Sequence, residues 1–293
     1  MAKTVRGARV LITGAASGMG LLYAQRAVAE GARAVALWDV NRRALEDAVI
    51  ALTAAAPEGT SVHGYTVNLT ELGAIAQAAH KVRKDVGDPE ILINNAGIVR
   101  GNRFFWETDS GDDTRATMQV NTLAPMYVAR EFLPAMIQHA HRPARIVNVA
   151  SAAGLLSNPR MSVYAASKWA LIGWSDSLRL ELEQADHGNV KVTTVAPSYI
   201  STGMFAGARG PLLTPVMTPE YVVDRVWRAM LAGTPMLMLP RAVGLARAMK
   251  GVLPTRVWDA IAGGLFGVYS SMDEFTGREG TGLLLTRTGR ARP

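Results

Sequence analysis

The chain has 293 residues, 49% of them hydrophobic, 19% charged and 6% aromatic, with 31 Lys and Arg against 24 Asp and Glu for a formal net charge of +7. This composition suits a globular chain with material for a large core, and the absence of cysteine excludes disulfides, thiolate nucleophiles and zinc–thiolate sites. From Arg241 onward eight Lys and Arg meet four Asp and Glu, so +4 of the charge falls in the last 53 residues. That local excess reads first as a solvated face or tail, with peripheral contact to an anionic membrane surface left open. Residues 1–9 lack the apolar centre of a signal peptide. No window supplies the roughly 18 uncharged apolar residues of a spanning helix, the nearest, at 257–268, being broken by Asp259 and glycines. A soluble, cytoplasmic protein is expected. No basic-aromatic motif points to nucleic acid, and the five histidines show no metal-binding spacing.

In chain order, a β-branched run at residues 8–12 precedes an Ala-rich helical stretch and a second run at 34–38, a β-α-β opening. A helix is predicted over 41–56, a strand over 61–67, a helix over 70–86 and a strand over 91–94. Residues 111–139 read as one long helix that Pro125 and Pro134 should kink or interrupt. A strand over 145–149, a helix over 162–184 and a strand over 190–195 follow. Residues 207–219, rich in Gly, Pro and Thr, read as a mobile loop. A helix restarts at Thr218 with Pro219 in its favoured first position, and a last strand covers 236–239. The alternation argues an α/β fold, a Rossmann-type doubly wound parallel sheet of about seven strands with helices on both faces. The strands are nearly continuous apolar runs, as doubly covered strands must be. One catalytic domain is expected over 1–240, with a C-terminal extension over 241–293 that is helical at first and then a flexible basic tail.

Directly after the first strand stand Thr13-Gly14-Ala15-Ala16-Ser17-Gly18-Met19-Gly20, and directly after these a helix. Gly14, Gly18 and Gly20 let the backbone turn sharply and approach a pyrophosphate, while the helix N-terminus offers unpaired N–H groups and partial positive charge. Asp39 lies at the end of the second strand, 19 residues beyond Gly20, where a carboxylate hydrogen-bonds adenosine ribose hydroxyls and repels a 2′-phosphate. Ser17 offers that phosphate no basic partner. The expected cofactor is NAD. A surface Asp capping the next helix is the plainer alternative for Asp39.

Tyr164 and Lys168 are four apart on one predicted helix, hence on the same face. A free phenol, with a pKa of about 10, is a poor base at neutral pH, but a nearby ammonium favours the phenolate. Lys168 should thus activate Tyr164 to exchange a proton with an alcohol or carbonyl oxygen as a hydride moves. Ser151, 13 residues before Tyr164 and just past a strand, falls at the carboxyl edge of the sheet, where its hydroxyl can hold the substrate oxygen.

Together the glycine pattern, Asn94-Asn95-Ala96-Gly97, Asn121, Ser151 and Tyr164-Ala165-Ala166-Ser167-Lys168 resemble, over about residues 6–240, the short-chain dehydrogenase/reductase family. The resemblance implies that Ser151 polarises the carbonyl, that Lys168 also binds the nicotinamide ribose, and that Asn121 holds a water in a proton relay. It implies cofactor contacts from Ser17, Met19, Asn68, Leu69, Asn95, Ala96, Gly97, Tyr164, Lys168, Pro197, Ile200 and Thr202, with Asn95 chiefly structural. It also implies a homodimer or homotetramer. Two departures stand out: Asn68-Leu69 where the family has Asp before an apolar residue, and Pro197-Ser198 where it has Pro-Gly. Asn68 can still accept an adenine amino hydrogen bond, without charge.

After Pro197, residues 198–217 should form the substrate lid, uncharged except for Arg209. Tyr199, Ile200, Met204, Phe205, Leu212, Leu213 and Met217 would offer it an adaptable apolar wall. The expected substrate is an uncharged, hydrophobic secondary alcohol or ketone, with bulk tolerated. Leu253-Pro254 and Ser271-Met272-Asp273-Glu274-Phe275 faintly resemble the branch that oxidises retinoids, steroids and long-chain alcohols, whose N-terminal membrane anchor is not expected here. The basic, apolar stretch 242–268 either covers the active site, mediates assembly or touches a membrane. A non-catalytic NAD-binding regulator is the competing reading, disfavoured because it would not need Asn121, Ser151, Tyr164 and Lys168 together.

Overall fold

A computed structural model describes residues 4–208, 210–211 and 214–277. Arg209, Leu212 and Leu213 of the expected lid, and the basic tail beyond Gly277, lie outside the described residues. The strands are β1 (Arg9–Thr13), β2 (Ala34–Asp39), β3 (Ser61–Thr66), β4 (Ile91–Asn94), β5 (Ala144–Val149), β6 (Val190–Pro197) and β7 (Met236–Leu239). All pair in parallel, in the order β3-β2-β1-β4-β5-β6-β7. The order reverses between β1 and β4, opening a crevice at their carboxyl ends.

Side chains alternate across the sheet, so each strand feeds two cores. Val10, Ile12, Val35, Leu37, Ile91 and Ile93 face α1 (Gly18–Ala29), α2 (Arg42–Ala54) and α7 (Pro219–Ala232). Leu11, Ala36, Trp38, Leu92 and Ile146 face α3 (Leu72–Asp85), α5 (Ala124–Gln138) and α6 (Ser162–Gln184). Caps set the helix ends: Asn41 accepts the Ala44 N–H at 3.2 Å, Thr218 accepts the Tyr221 N–H at 3.3 Å with Pro219 next to it, and Gly233 closes α7 in the left-handed conformation.

The long helix expected over 111–139 is not uniform. Widened π turns over Ser110–Arg115 and Gln119–Leu123 flank α4 (Ala116–Met118), and α5 follows with Pro125 in its first turn. Pro125 has no N–H to donate to the Asn121 carbonyl four residues back, which favours the wider turn there. Pro134 lies inside α5, which continues past it to Gln138. Beyond β7, α8 (Arg241–Val252) and α9 (Thr255–Asp259) run into a π turn over Ala260–Leu265.

Candidate active site

The glycine loop joins β1 to α1 above the sheet's reversal point. A Cβ on Gly14 would stand 2.9 Å from the Ala96 backbone, and one on Gly20 would run into the Gly14 carbonyl oxygen. The loop therefore lies closer to β4 and to α1 than any side chain permits. Asn95 braces it, donating from Nδ2 to the Thr13 and Gly14 carbonyls at 3.1 and 3.2 Å, as a structural role for it requires. Thr13 Oγ1 accepts the Asn95 and Ala96 N–H groups, each at 3.1 Å, fastening β1 to the end of β4. Ser17 precedes α1 in extended conformation, and Met19 packs partly against the core.

Asp39 ends β2 beside the glycine loop. Its carboxylate accepts the Ala16 N–H and the Asn41 N–H, both at 3.0 Å, so it both holds the glycine loop and turns the chain into α2. Asn68 departs from the expected role: its Oδ1 already accepts the Thr70 N–H at 3.1 Å and hydroxyl at 2.8 Å, while Nδ2 donates to Glu71 at 2.7 Å. Both lone pairs of that oxygen are taken, because an Asx turn starts the approach to α3. Leu69 packs against the core. On the opposite side of the crevice Pro197 ends β6, Ile200 pairs with Met217, and Thr202 lies 3.7 Å from where a Gly18 Cβ would stand.

Asn121, Ser151, Tyr164 and Lys168 are all buried at the carboxyl edge of β4 and β5. Asn121 sits in the second π turn and spends its whole side chain. Oδ1 accepts the Ile98 N–H at 2.8 Å, and Nδ2 donates to the Ile98 carbonyl at 2.9 Å and to Ser167 Oγ at 3.1 Å. Pro125, which has no N–H, leaves the Asn121 main-chain carbonyl without the donor that a regular α-helix would supply four residues on. A Cβ on Gly97 would stand 3.4 Å from Asn121 Oδ1 and 3.5 Å from Lys168 Nζ, so those groups converge where Gly97 leaves room.

Lys168 lies one turn along α6 from Tyr164, its Nζ 5.8 Å from the centre of the phenol ring. Lys168 Nζ donates to the Val149 carbonyl at 2.9 Å, and burial pushes its pKa down to about 8. Burial pushes the Tyr164 phenol up to about 12, partly opposed by a hydrogen bond from the Ser151 hydroxyl. Ser151 Oγ also accepts the Ala153 N–H at 3.2 Å.

Beside Ser151 and Tyr164 opens a cavity of about 970 Å³, counting its mouth. Tyr199 and Phe205 of the expected lid line it; Ile200 and Met217 do not, being packed into the core beside the sheet because their bridge draws them inward. Met204 does not line it either. Half of the remaining lining residues come from the C-terminal extension, Val243, Leu245, Met249, Trp258, Phe266 and Val268 among them. Asn158 and Met161, ahead of the catalytic helix, also line it and were not singled out from sequence. Their only sequence signal is proximity to Tyr164.

A parallel sheet with this reversal point, a glycine loop at it and a Ser–Tyr–Lys group beside it define a dinucleotide-dependent oxidoreductase. The family model described as short chain dehydrogenase matches residues 8–211, and the chain belongs to that family. It is 38% identical over 281 residues to epidermal retinol dehydrogenase 2 of Mus musculus, covering 94% of this chain and 88% of that protein. Among solved structures, a short chain dehydrogenase/reductase from Burkholderia phymatum in complex with NAD matches with a TM-score of 0.75 and 26% identity, covering 84% of this chain and 94% of that one. A short-chain dehydrogenase from Sphingobium yanoikuyae in complex with NADPH matches with a TM-score of 0.70 and 28% identity, covering 84% and 94%. The family thus includes structures with either dinucleotide.

Proposed function

We propose that the protein is an NAD-dependent dehydrogenase of large, uncharged, apolar alcohols of the retinoid or steroid type, working reversibly on the corresponding carbonyls. One observation carries this reading: no Asp, Glu, Lys, Arg or His lines the cavity beside Tyr164, among the described residues, while apolar side chains from two separate parts of the chain do. A charged substrate would lose its hydration there without gaining a partner. The likeness to a retinol dehydrogenase supports a long apolar substrate over a small ketone. Residues 1–240 act as the catalytic unit, and the extension from 241 onward roofs its pocket.

The cradle fits a dinucleotide. Gly14 and Gly20 let the loop between β1 and α1 pack tightly against Ala96 and against itself, Gly97 adds no side chain beside Asn121 and Lys168, and a helix N-terminus at this point suits a pyrophosphate. Ser17, Gly18, Met19, Ala96, Pro197, Ile200 and Thr202 complete the crevice, and Asp39 holds the ribose. When bound, the dinucleotide supplies the hydride acceptor or donor. The Ser151 and Tyr164 hydroxyls together hold the substrate oxygen. In reduction the protonated Tyr164 donates to that oxygen and regains a proton through Lys168 and water; in oxidation the phenol first gives up its proton through Lys168 and a water held at the Asn121 carbonyl, and the phenolate then takes the alcohol proton.

Turnover across a panel of retinols, hydroxysteroids, long-chain alcohols and sugar alcohols tests the substrate class. The apolar members are expected to show kcat/KM at least about a hundredfold above the sugars, and preference for sugars sinks the reading. Asp39→Ala is expected to erode the NAD preference by about tenfold through loss of ribose contacts and of repulsion toward a 2′-phosphate. A wild type that already prefers NADPH would overturn the ribose argument.

No helix among the described residues is long and apolar enough to cross a membrane. The extension nevertheless exposes Leu245 at 65%, Val252 at 83% and Leu265 at 65%, in a segment that also carries Arg241, Arg247 and Arg256. Leu245 both lines the pocket and faces outward, so the apolar surface is continuous with the route to the catalytic group. This surface fits an anionic bilayer that stores the substrate. Co-sedimentation with phosphatidylglycerol-containing vesicles is expected, weakened about tenfold by Val252→Asp with Leu265→Asp. Equal binding of that double variant would reject the surface.

A further inference from the structure

The last described segment, residues 271–277, follows the helices of the extension and returns to the substrate loop, residues 199–208. Its contacts fall on both walls of the catalytic pocket. Toward the loop, the Thr276 and Gly277 N–H groups both donate to the Ala206 carbonyl, at 2.9 and 3.2 Å. Ser271 Oγ lies 2.8 Å from the Tyr199 hydroxyl, and the Phe275 ring meets Phe205 with centroids 6.4 Å apart at 61°. Gly207, at φ +80°, lies so close beneath the segment that a Cβ there would run into the Glu274 carbonyl oxygen. Toward the catalytic helix, Asn158 Nδ2 donates to Ser271 Oγ at 3.0 Å and Arg160 pairs with Asp273 at 3.5 Å. Met272 is buried against Met161 and Tyr164.

We infer that residues 271–277 are a clasp that pins the substrate loop to the segment leading into α6, and that Ser271, Met272 and Phe275 thereby set which substrates the pocket accepts. Phe205 is the link: its ring stands edge-on to Tyr164 at 5.9 Å and to Tyr199 at 5.5 Å, with Phe275 on a further side. A phenylalanine held on three sides cannot turn aside, so the wall beside the catalytic phenol has one shape while the clasp is closed. Entry of a bulky alcohol and departure of its product then require the clasp to loosen. The amide contacts are made by main chain, so any residue but proline serves them at 276, whereas Gly207 admits no side chain. Phe275 and Ser271 are positioning residues, acting on Tyr164 and Tyr199 without touching the reacting atoms.

The test uses full-length protein and two readouts. Hydrogen–deuterium exchange of loop amides 199–208 is measured on the free protein; KM and kcat are measured for the best apolar alcohol and for a small secondary alcohol. Gly207→Ala and Phe275→Ala are expected to speed loop exchange about tenfold and to raise KM for the apolar alcohol about fivefold. With the small alcohol kcat stays within about threefold, and Phe275→Leu recovers part of both effects. If Gly207→Ala does not fold, Ser271→Ala, which removes one hydroxyl, takes its place with the same direction of change. Unchanged loop exchange in the folded variants overturns the clasp, as does a KM within about twofold of wild type. The inference rests on the proposed alcohol chemistry, but an inactive wild type would remove that chemistry alone, because the exchange measurement needs no substrate.

Discussion

Tyr164→Phe is expected to cut turnover by about a thousandfold while dinucleotide affinity stays within about twofold of wild type. The substitution removes one hydroxyl from a side chain already buried and held edge-on by Phe205, so packing is preserved. What is lost is the group that gives or takes the proton at the substrate oxygen, since Ser151 alone is too weak an acid or base to replace it. Retained turnover would remove Tyr164 from the mechanism. The free protein offers a second check, because burial pushes this phenol up to about 12. A folded pKa above the ordinary value of about 10 means that the group favours folding below pH 10 and that this contribution disappears as pH rises toward 12. Ultraviolet titration of wild type against Tyr164→Phe should therefore show the extra phenolate only above about pH 11. An extra phenolate near pH 10 would contradict burial as the controlling cause.

Gly20→Ala has the second large effect, and it works through backbone rather than chemistry. The added methyl group would run into the Gly14 carbonyl oxygen and press on Asn95 Nδ2, 2.7 Å away, which itself holds the Thr13 and Gly14 carbonyls. None of these is the free end of a flexible chain. The loop must open away from β4, and the N–H groups at the start of α1 lose their aim. Dinucleotide affinity is expected to fall at least about a hundredfold, with stability lowered by about 2 kcal/mol from the lost loop packing and bracing. Calorimetric titration with NADH and thermal unfolding measure the two separately; unchanged affinity in a folded variant would dismiss the glycine loop as the binding cradle.

Much of the arrangement was legible along the chain, for a physical reason. A parallel strand covered on both faces must be largely apolar, which marks the strand at 91–94, and the spacing of Tyr164 and Lys168 puts both on one helix face. Glycines at 14, 18 and 20 declare a close backbone approach whatever lies opposite. The π turn around Asn121 was less visible: Pro125 signals a disturbed helix, but a proline in the first turn of a helix and one that breaks it look alike in sequence. Asn68 misled because its side chain can bond its own neighbours, Thr70 and Glu71, as readily as a ligand.

The doubly wound α/β class, the family resemblance, and the identities and order of the Asn, Ser, Tyr and Lys at the site are all readable along the chain. These depend on local patterns, and local patterns survive in one dimension. Packing in three dimensions settled that Ile200 and Met217 turn into the core, that Lys168 points at the Val149 carbonyl, and that residues 242–268 help to roof the pocket. It also decided that Ser271 meets Asn158 across 113 positions of chain. Contacts at such separation depend on which apolar faces find each other after the sheet has formed, and no spacing rule encodes that choice.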